Sequence, residues 1–185
     1  MRTAAGEGSA SGTDRNIGAI ASVAVALVLV AIALTIDIPK AVQGYKGDEA
    51  TYYSLGHSLA RDFDFAFERR DLVRVWEEFP GPEGIWLKRG KAIRVGLTGQ
   101  WPFVRWTKRE DPVRTRLYYG KAYIYPLATA PFVFLFGTNG FLVLHALLLA
   151  LDVFVAYTFM AGRVRSTPTA LAYAGVFLAA SVAPV

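Results

Sequence analysis

Residues 17–36 read IGAIASVAVALVLVAIALTI, twenty positions without a single charge. As an α-helix this stretch would be about 30 Å long, the thickness of the hydrocarbon core of a bilayer. The apolar region of a cleaved signal peptide is shorter, usually about 7 to 15 residues, so the stretch reads as a retained transmembrane helix. Residues 1–16 (MRTAAGEGSASGTDRN) are small and polar with no apolar period, which predicts a flexible tail. Arg2 and Arg15 place that tail in the cytoplasm by the positive-inside rule.

Composition agrees with a chain divided between lipid and water. Of 185 residues 54% are hydrophobic, yet 20 are basic and 15 acidic. Between residues 37 and 121 there are 16 Lys/Arg and 12 Asp/Glu, so 28 of the 35 charges lie in one block. This segregation argues against a single soluble globule and against a disordered chain. The net charge of +5 comes mostly from that block. No basic run resembles a nucleic-acid module, so the expected partners are anionic head groups or phosphates, with no nucleic acid. The absence of cysteine excludes disulfides, thiolate metal sites and a Cys nucleophile.

Beyond the block come three more apolar stretches. Residues 122–136 would give only about 22 Å of helix, contain Pro126 and Pro131, and run into the turn Gly137-Thr138-Asn139-Gly140. Residues 141–162 reach about 33 Å. Arg163 and Arg165 mark the following short connection, 163–168, as cytoplasmic, which holds only if 122–136 does not span. Residues 122–136 are therefore expected as a juxtamembrane helix in the outer interface, with Tyr123 and Tyr125 at head-group level. A third span, 169–185, runs to the last residue without a polar flank and reads as truncated, as in the leading part of a longer polytopic protein. The segment 37–140 holds all four tryptophans (Trp76, Trp86, Trp101, Trp106) and the turns Phe79-Pro80-Gly81-Pro82 and Leu97-Thr98-Gly99-Gln100, so it is expected as a folded extracytoplasmic loop.

Two places in this loop carry candidate chemistry. In Gly47-Asp48-Glu49-Ala50-Thr51-Tyr52-Tyr53 a helix is predicted to start, with Tyr52, Leu55 and Leu59 on one apolar stripe. Asp48 stands where it would cap the helix and Glu49 where it would complement the dipole; the alternative is a general base for a hydroxyl at the membrane surface. In Tyr118-Tyr119-Gly120-Lys121-Ala122-Tyr123-Ile124-Tyr125-Pro126-Leu127 a lone cation enters a tyrosine-rich helix. Lys121 either snorkels or stabilises the growing charge of a departing lipid-linked phosphate.

Taken in order, these residues resemble the bacterial membrane glycosyltransferases of the GT-C class, near the protein mannosyltransferase and aminoarabinose-transferase branches. The likeness runs from about residue 17 onward. It comprises one span, the acidic pair in Gly47-Asp48-Glu49-Ala50-Thr51-Tyr52, Asp62-Phe63-Asp64-Phe65 leading into Glu68-Arg69-Arg70-Asp71, then Tyr119-Gly120-Lys121-Ala122-Tyr123, Pro126-Leu127, Pro131-Phe132, Phe136-Gly137 and a second span. The resemblance implies that Asp48, with Glu49 beside it, is the catalytic or metal-supporting carboxylate, and that Lys121, with Tyr123, contacts the donor phosphate. It also implies a juxtamembrane helix at 122–136. Gly120-Lys121-Ala122 stands where the aminoarabinose branch carries Lys-Pro-Pro.

The expectation is thus an all-α polytopic membrane protein of the bacterial inner membrane, cytoplasmic at its N-terminus, with a GT-C-like N-terminal part. Its expected reaction is inverting transfer of a sugar from a polyprenyl-phosphate donor to a hydroxyl acceptor on a glycan, lipid or protein, with a divalent metal as a possible cofactor. The alternative is a non-catalytic membrane subunit or scaffold that recruits a partner through its outer loop. Three other features have structural explanations. Asp62-Phe63-Asp64 looks like a metal-binding Asp-x-Asp, but an alternating strand over 62–67 accounts for it. His145 and Asp152 share one face of the second span, where Asp152 is expected to bond a neighbouring helix. His57 has no partner at metal spacing.

Overall fold

A computed structural model of the chain describes residues 12–42, 44–79, 83–89, 92–97, 104–109, 116–164 and 166–182. Among these the helices are α1 (Gly12–Thr35), α2 (Ile38–Ala41), α3 (Asp48–Arg61), α4 (Arg69–Glu78), α5 (Ile124–Phe136), α6 (Gly140–Ala161) and α7 (Thr167–Val182). The strands are β1 (Ala66–Phe67), β2 (Leu87–Arg89), β3 (Ala92–Leu97), β4 (Val104–Arg109) and β5 (Leu117–Tyr119). The chain is mostly helical. It is not purely so, because the polar block uses its β-branched and aromatic residues in short antiparallel ladders. Two compact units divide it, Met1–Ile36 with Phe141–Val185, and Asp37–Gly140.

The first unit holds α1, α6 and α7. Its core is Val153, Ala156, Tyr157, Ala170 and Ala174, with Ile17 and Val25 of α1 packed against it. Small residues let these helices approach closely, as in membrane bundles. At Gly18 a Cβ would lie 2.4 Å from Cδ1 of the Tyr157 ring, and Ser22 donates to the Ala150 carbonyl at 2.5 Å. α1 begins at Gly12, so the expected tail 1–16 is too long: nothing in Gly12–Asn16 breaks a helix, and propagation from an apolar segment is cheap. The rest of that tail, residues 1–11, lies outside the described residues. α7 begins two residues before the predicted 169, because Ser166 caps it (Thr169 N–H to Oγ, 3.4 Å) and Pro168 fits the first turn.

Two helices are long and apolar enough to cross a membrane, Asn16–Thr35 and the 38-residue run Ile124–Ala161. The second is bent into two. Gly137, at φ 60° and ψ −143°, ends α5 in a conformation open to glycine, and a 3-10 turn over Gly137–Asn139 leads into α6. Gly140 then lies directly on the backbone of Phe132 and Val133.

The second unit is built round α3. From Ala50 to Ala60 every side chain but the half-buried Tyr52 is buried. α5 packs on it through Pro126, Thr129, Ala130 and Val133, and α4 contributes Asp71, Val75 and, just beyond its end, Phe79. The sheet runs β1-β5-β2, all antiparallel, with Ala66 opposite Tyr118 and Leu87 opposite Tyr119; β3 and β4 form a separate pair. The alternating strand expected over 62–67 is only Ala66–Phe67, because Asp62 is the C-cap of α3 and the chain turns through 63–65. The turn residues 80–82 and 98–100, and Trp101, lie outside the described residues.

Buried polar groups of α3 are bonded, as burial requires. Ser54 meets the Tyr119 hydroxyl at 2.7 Å, and Ser58 donates to Asp64 Oδ1 at 3.1 Å. The Tyr53 hydroxyl donates to Glu78 Oε2 at 2.5 Å, Thr138 donates to the same oxygen, and Thr138 Oγ1 lies 3.4 Å from His57 Nε2. This knot ties the turn after α5 to both α3 and α4.

Candidate functional site

Asp48 opens α3, but it is the first helical residue and not the cap. The cap is Gly47, at φ 59° and ψ −117°, without a side-chain cap bond. The capping reading of Asp48 is thereby corrected: glycine adopts the backbone angle this entry needs, which leaves the carboxylate at 48 free to point away from the helix end. It reaches Lys121, Nζ to Oδ1 2.7 Å.

Backbone bonds set that distance. Gly47 N–H donates to the Glu83 carbonyl at 2.9 Å, and Trp86 N–H donates to Thr51 Oγ1 at 2.9 Å. Thr51 in turn donates to the Gly47 carbonyl at 2.9 Å. On the other side Gly120 N–H donates to the Trp86 carbonyl at 2.7 Å. Residues 83–86 therefore form a strap fixed to the start of α3 and to the turn before α5. A Cβ at Gly120 would stand 3.2 Å from the Trp86 carbonyl oxygen, so a glycine lets the strap close. Lys121 leaves this turn with its ammonium 5.0 Å from the centre of the Trp86 ring.

The site is thus a carboxylate, an ammonium and an indole face, open to solvent. The Asp48 side chain is 55% exposed, that of Lys121 29%, and Trp86 57%. An exposed pair of this kind is worth about 0–1 kcal/mol, so it can part for a ligand at small cost. Glu49 and Tyr123 are exposed too and serve other neighbours. The Glu49 charge bears on Tyr45, whose hydroxyl is pushed up to about 12, chiefly by burial. The Tyr123 ring meets Phe65 edge-on at 5.7 Å. Trp86 was not singled out by sequence reasoning; its register against Lys121 comes from the pairing of β2 with β5, which no local pattern encodes.

Among the described residues no group of three or more His, Asp or Glu side chains could hold a metal ion. Asp48 has an ammonium beside it, which a divalent cation would have to displace. The Asp62-x-Asp64 pair is occupied by guanidinium groups. Arg74 grips Asp62 with two nitrogens at 3.0 and 3.4 Å, and Arg70 meets Asp62 at 3.4 Å, Asp64 at 3.2 Å and Glu68 at 3.2 Å. Glu68 and Asp71 form a reciprocal capping box at the start of α4, with Glu68 N–H donating to Asp71 at 2.8 Å. His145 and Asp152 are both exposed on α6, and Asp152 lines a shallow groove with Val155, Phe159, Tyr173 and Phe177.

Two buried groups in this unit oppose each other in their response to pH. Burial holds the His57 imidazole down to about 4, against the pull of Glu78, with Arg74 and Arg61 adding to the depression. Burial pushes the Asp71 carboxyl up to about 6, against the Glu68 N–H. As pH falls from 6.5 towards 4 the unfolded chain protonates His57 first, so that group costs the native state stability. As pH rises from 3.8 to about 6 the unfolded chain ionises Asp71 first, so stability is lost in the other direction. The wild-type chain should therefore change little in thermal stability between pH 4 and 6. His57→Asn should unmask the Asp71 slope, a loss on the order of 2 kcal/mol as pH rises across that window. Circular-dichroism melts in detergent check this; a variant that melts higher at pH 6 than at pH 4 contradicts it.

No family model, no curated protein and no solved structure matches this chain.

Proposed function

We propose that the chain belongs to a multi-pass bacterial inner-membrane glycosyltransferase, with its N-terminus in the cytoplasm and the second unit at the outer face. It transfers a sugar from a polyprenyl-phosphate donor to a hydroxyl acceptor. The observation that carries this reading is the Asp48–Lys121 pair, 2.7 Å apart beside the exposed Trp86 ring and far apart in sequence. General base and phosphate cation are the two charges that such a displacement needs.

In the reaction the acceptor oxygen attacks the anomeric carbon from the side opposite the phosphate. The bond from that carbon to the phosphate oxygen breaks, and its electron pair stays on the phosphate. The hydroxyl proton passes to the Asp48 carboxylate, and one displacement inverts the anomeric centre. Lys121 turns from Asp48 to the phosphate, whose charge grows as it leaves, so the ammonium favours the transition state over the ground state. The candidate carboxylates Asp48, Asp62 and Asp64 are paired with Lys121, Arg74 and Arg70.

Binding of undecaprenyl phosphate to the full chain in lipid nanodiscs tests the cationic role. Lys121→Ala should weaken binding about 10-fold or more, the range for loss of a charge-assisted hydrogen bond. Lys121→Arg, which keeps the charge, should stay within a few-fold of wild type. Equal affinity in Lys121→Ala and wild type would overturn the assignment.

A further inference from the structure

The loop 62–65 between α3 and β1 has its polarity reversed. Asp62, 10% exposed, turns inward to Arg74, and Asp64, still 36% exposed, bonds to Arg70 and Ser58, while Phe63 is 80% and Phe65 43% exposed. In water the opposite alternation is expected, charge outward and ring inward. Phe63 also has φ 57°, the left-handed region that a bulky side chain rarely enters, and there it holds its ring out from the surface. Arg70 contacts Asp62, Asp64 and Glu68, and Arg74 contacts Asp62 and Asp71, so two guanidinium charges are set against these carboxylates and lessen the repulsion that anionic head groups would feel.

The patch continues onto α5. Phe65 touches Tyr123, and beside Tyr123 begins the outer face of α5, where Ile124 is 75% and Leu127 51% exposed. That face stays apolar to Phe134 and Leu135, and only Gly137–Asn139 separates α5 from the next apolar helix. That next helix belongs to a run long and apolar enough to cross a bilayer.

We propose that the loop 62–65 is a membrane wedge, with Phe63 and Phe65 seated between head groups and acyl chains beside Tyr123 and Ile124. This rests on the reading of the chain as membrane-embedded. A ring pair whose own carboxylates are already paired can enter that layer without carrying an unpaired charge with it. The wedge would hold the open face of the Asp48–Lys121 site at the depth where a lipid-linked phosphate lies.

Because the chain has no cysteine, one engineered thiol reports one position. Nitroxide labels at Phe63→Cys, Ile124→Cys, Val23→Cys and Lys88→Cys, each in the full chain in phosphatidylcholine–phosphatidylglycerol vesicles, would be read by collision with oxygen and with a water-soluble nickel chelate. The replaced side chains at 63, 124 and 23 are all more than half exposed, so little packing is lost. Val23 should be the deepest, Lys88 aqueous, and Phe63 and Ile124 about 5–10 Å into the boundary, with nickel collisions several-fold rarer than at Lys88. If Val23 is deep while Phe63 is as open to nickel as Lys88, the wedge is overturned and the membrane reading stands. If Val23 and Phe63 are both aqueous, both are overturned.

Discussion

Asp48→Asn should lower the turnover of sugar transfer by about 100-fold or more, while the fold and the binding of donor lipid stay close to wild type. The size follows from the role: a positioned general base typically contributes about 10²- to 10⁴-fold. The amide keeps the shape of the side chain and can accept from Lys121, but it cannot take the acceptor proton. Little stability is at stake, because Gly47 and not Asp48 caps α3, and the ion pair is an exposed one. The measurement is kcat and KM for a polyprenyl-phosphate sugar in vesicles holding the full-length protein, alongside a melting curve. A base removed should appear in kcat, whereas Lys121→Ala should appear in both kcat and donor affinity. Turnover within about threefold of wild type in Asp48→Asn would remove Asp48 from the chemistry and leave it as the partner of Lys121.

The parts of this molecule that sequence makes legible are those in which one stretch decides its own state. Residues 17–36, 141–162 and 169–185 are predominantly apolar, and over their described residues helices stand there with ends shifted by a few residues, where Ser166 and Pro168 or a permissive run such as Gly12–Asn16 decide the boundary. The start of α3 at Asp48 is likewise local, set by Gly47. What is not legible depends on distant partners. Asp62 and Asp64 look like metal ligands until Arg70 and Arg74 arrive from the next helix. Trp86 looks like any other tryptophan of the block until its N–H donates to Thr51 and its carbonyl accepts from Gly120, which brings its ring to Lys121. His57, without a neighbour at metal spacing, joins a buried knot in which its ring lies against Tyr53 and the turn after α5 brings Thr138 to it. Sequence patterns report period and length, and these contacts have neither.

That turn also carries the largest expected loss of stability. Gly140→Ala should destabilise the chain by about 3 kcal/mol or more, at or above the upper end for overpacking. The new Cβ would stand 2.3 Å from the Phe132 carbonyl carbon and 2.4 Å from its oxygen and from the Val133 nitrogen. All three are backbone atoms of α5, so no rotamer change relieves the clash. Nor can the connection move. Gly137 needs its positive φ to end α5, and Thr138 is bonded to Glu78 and lies beside Tyr53 and His57. Relief would require α5 to slide on α3, where Val133 and Thr129 are fully buried. Gly175→Ala is the matched control, a helical glycine with nothing within 4 Å of the added methyl. It should stabilise by about 0.5–1 kcal/mol through helix propensity alone. Melting both variants in one detergent separates the two causes: opposite shifts mean that contact geometry decides, and a Gly140→Ala melt equal to wild type would mean that α5 and the turn are not held together as described.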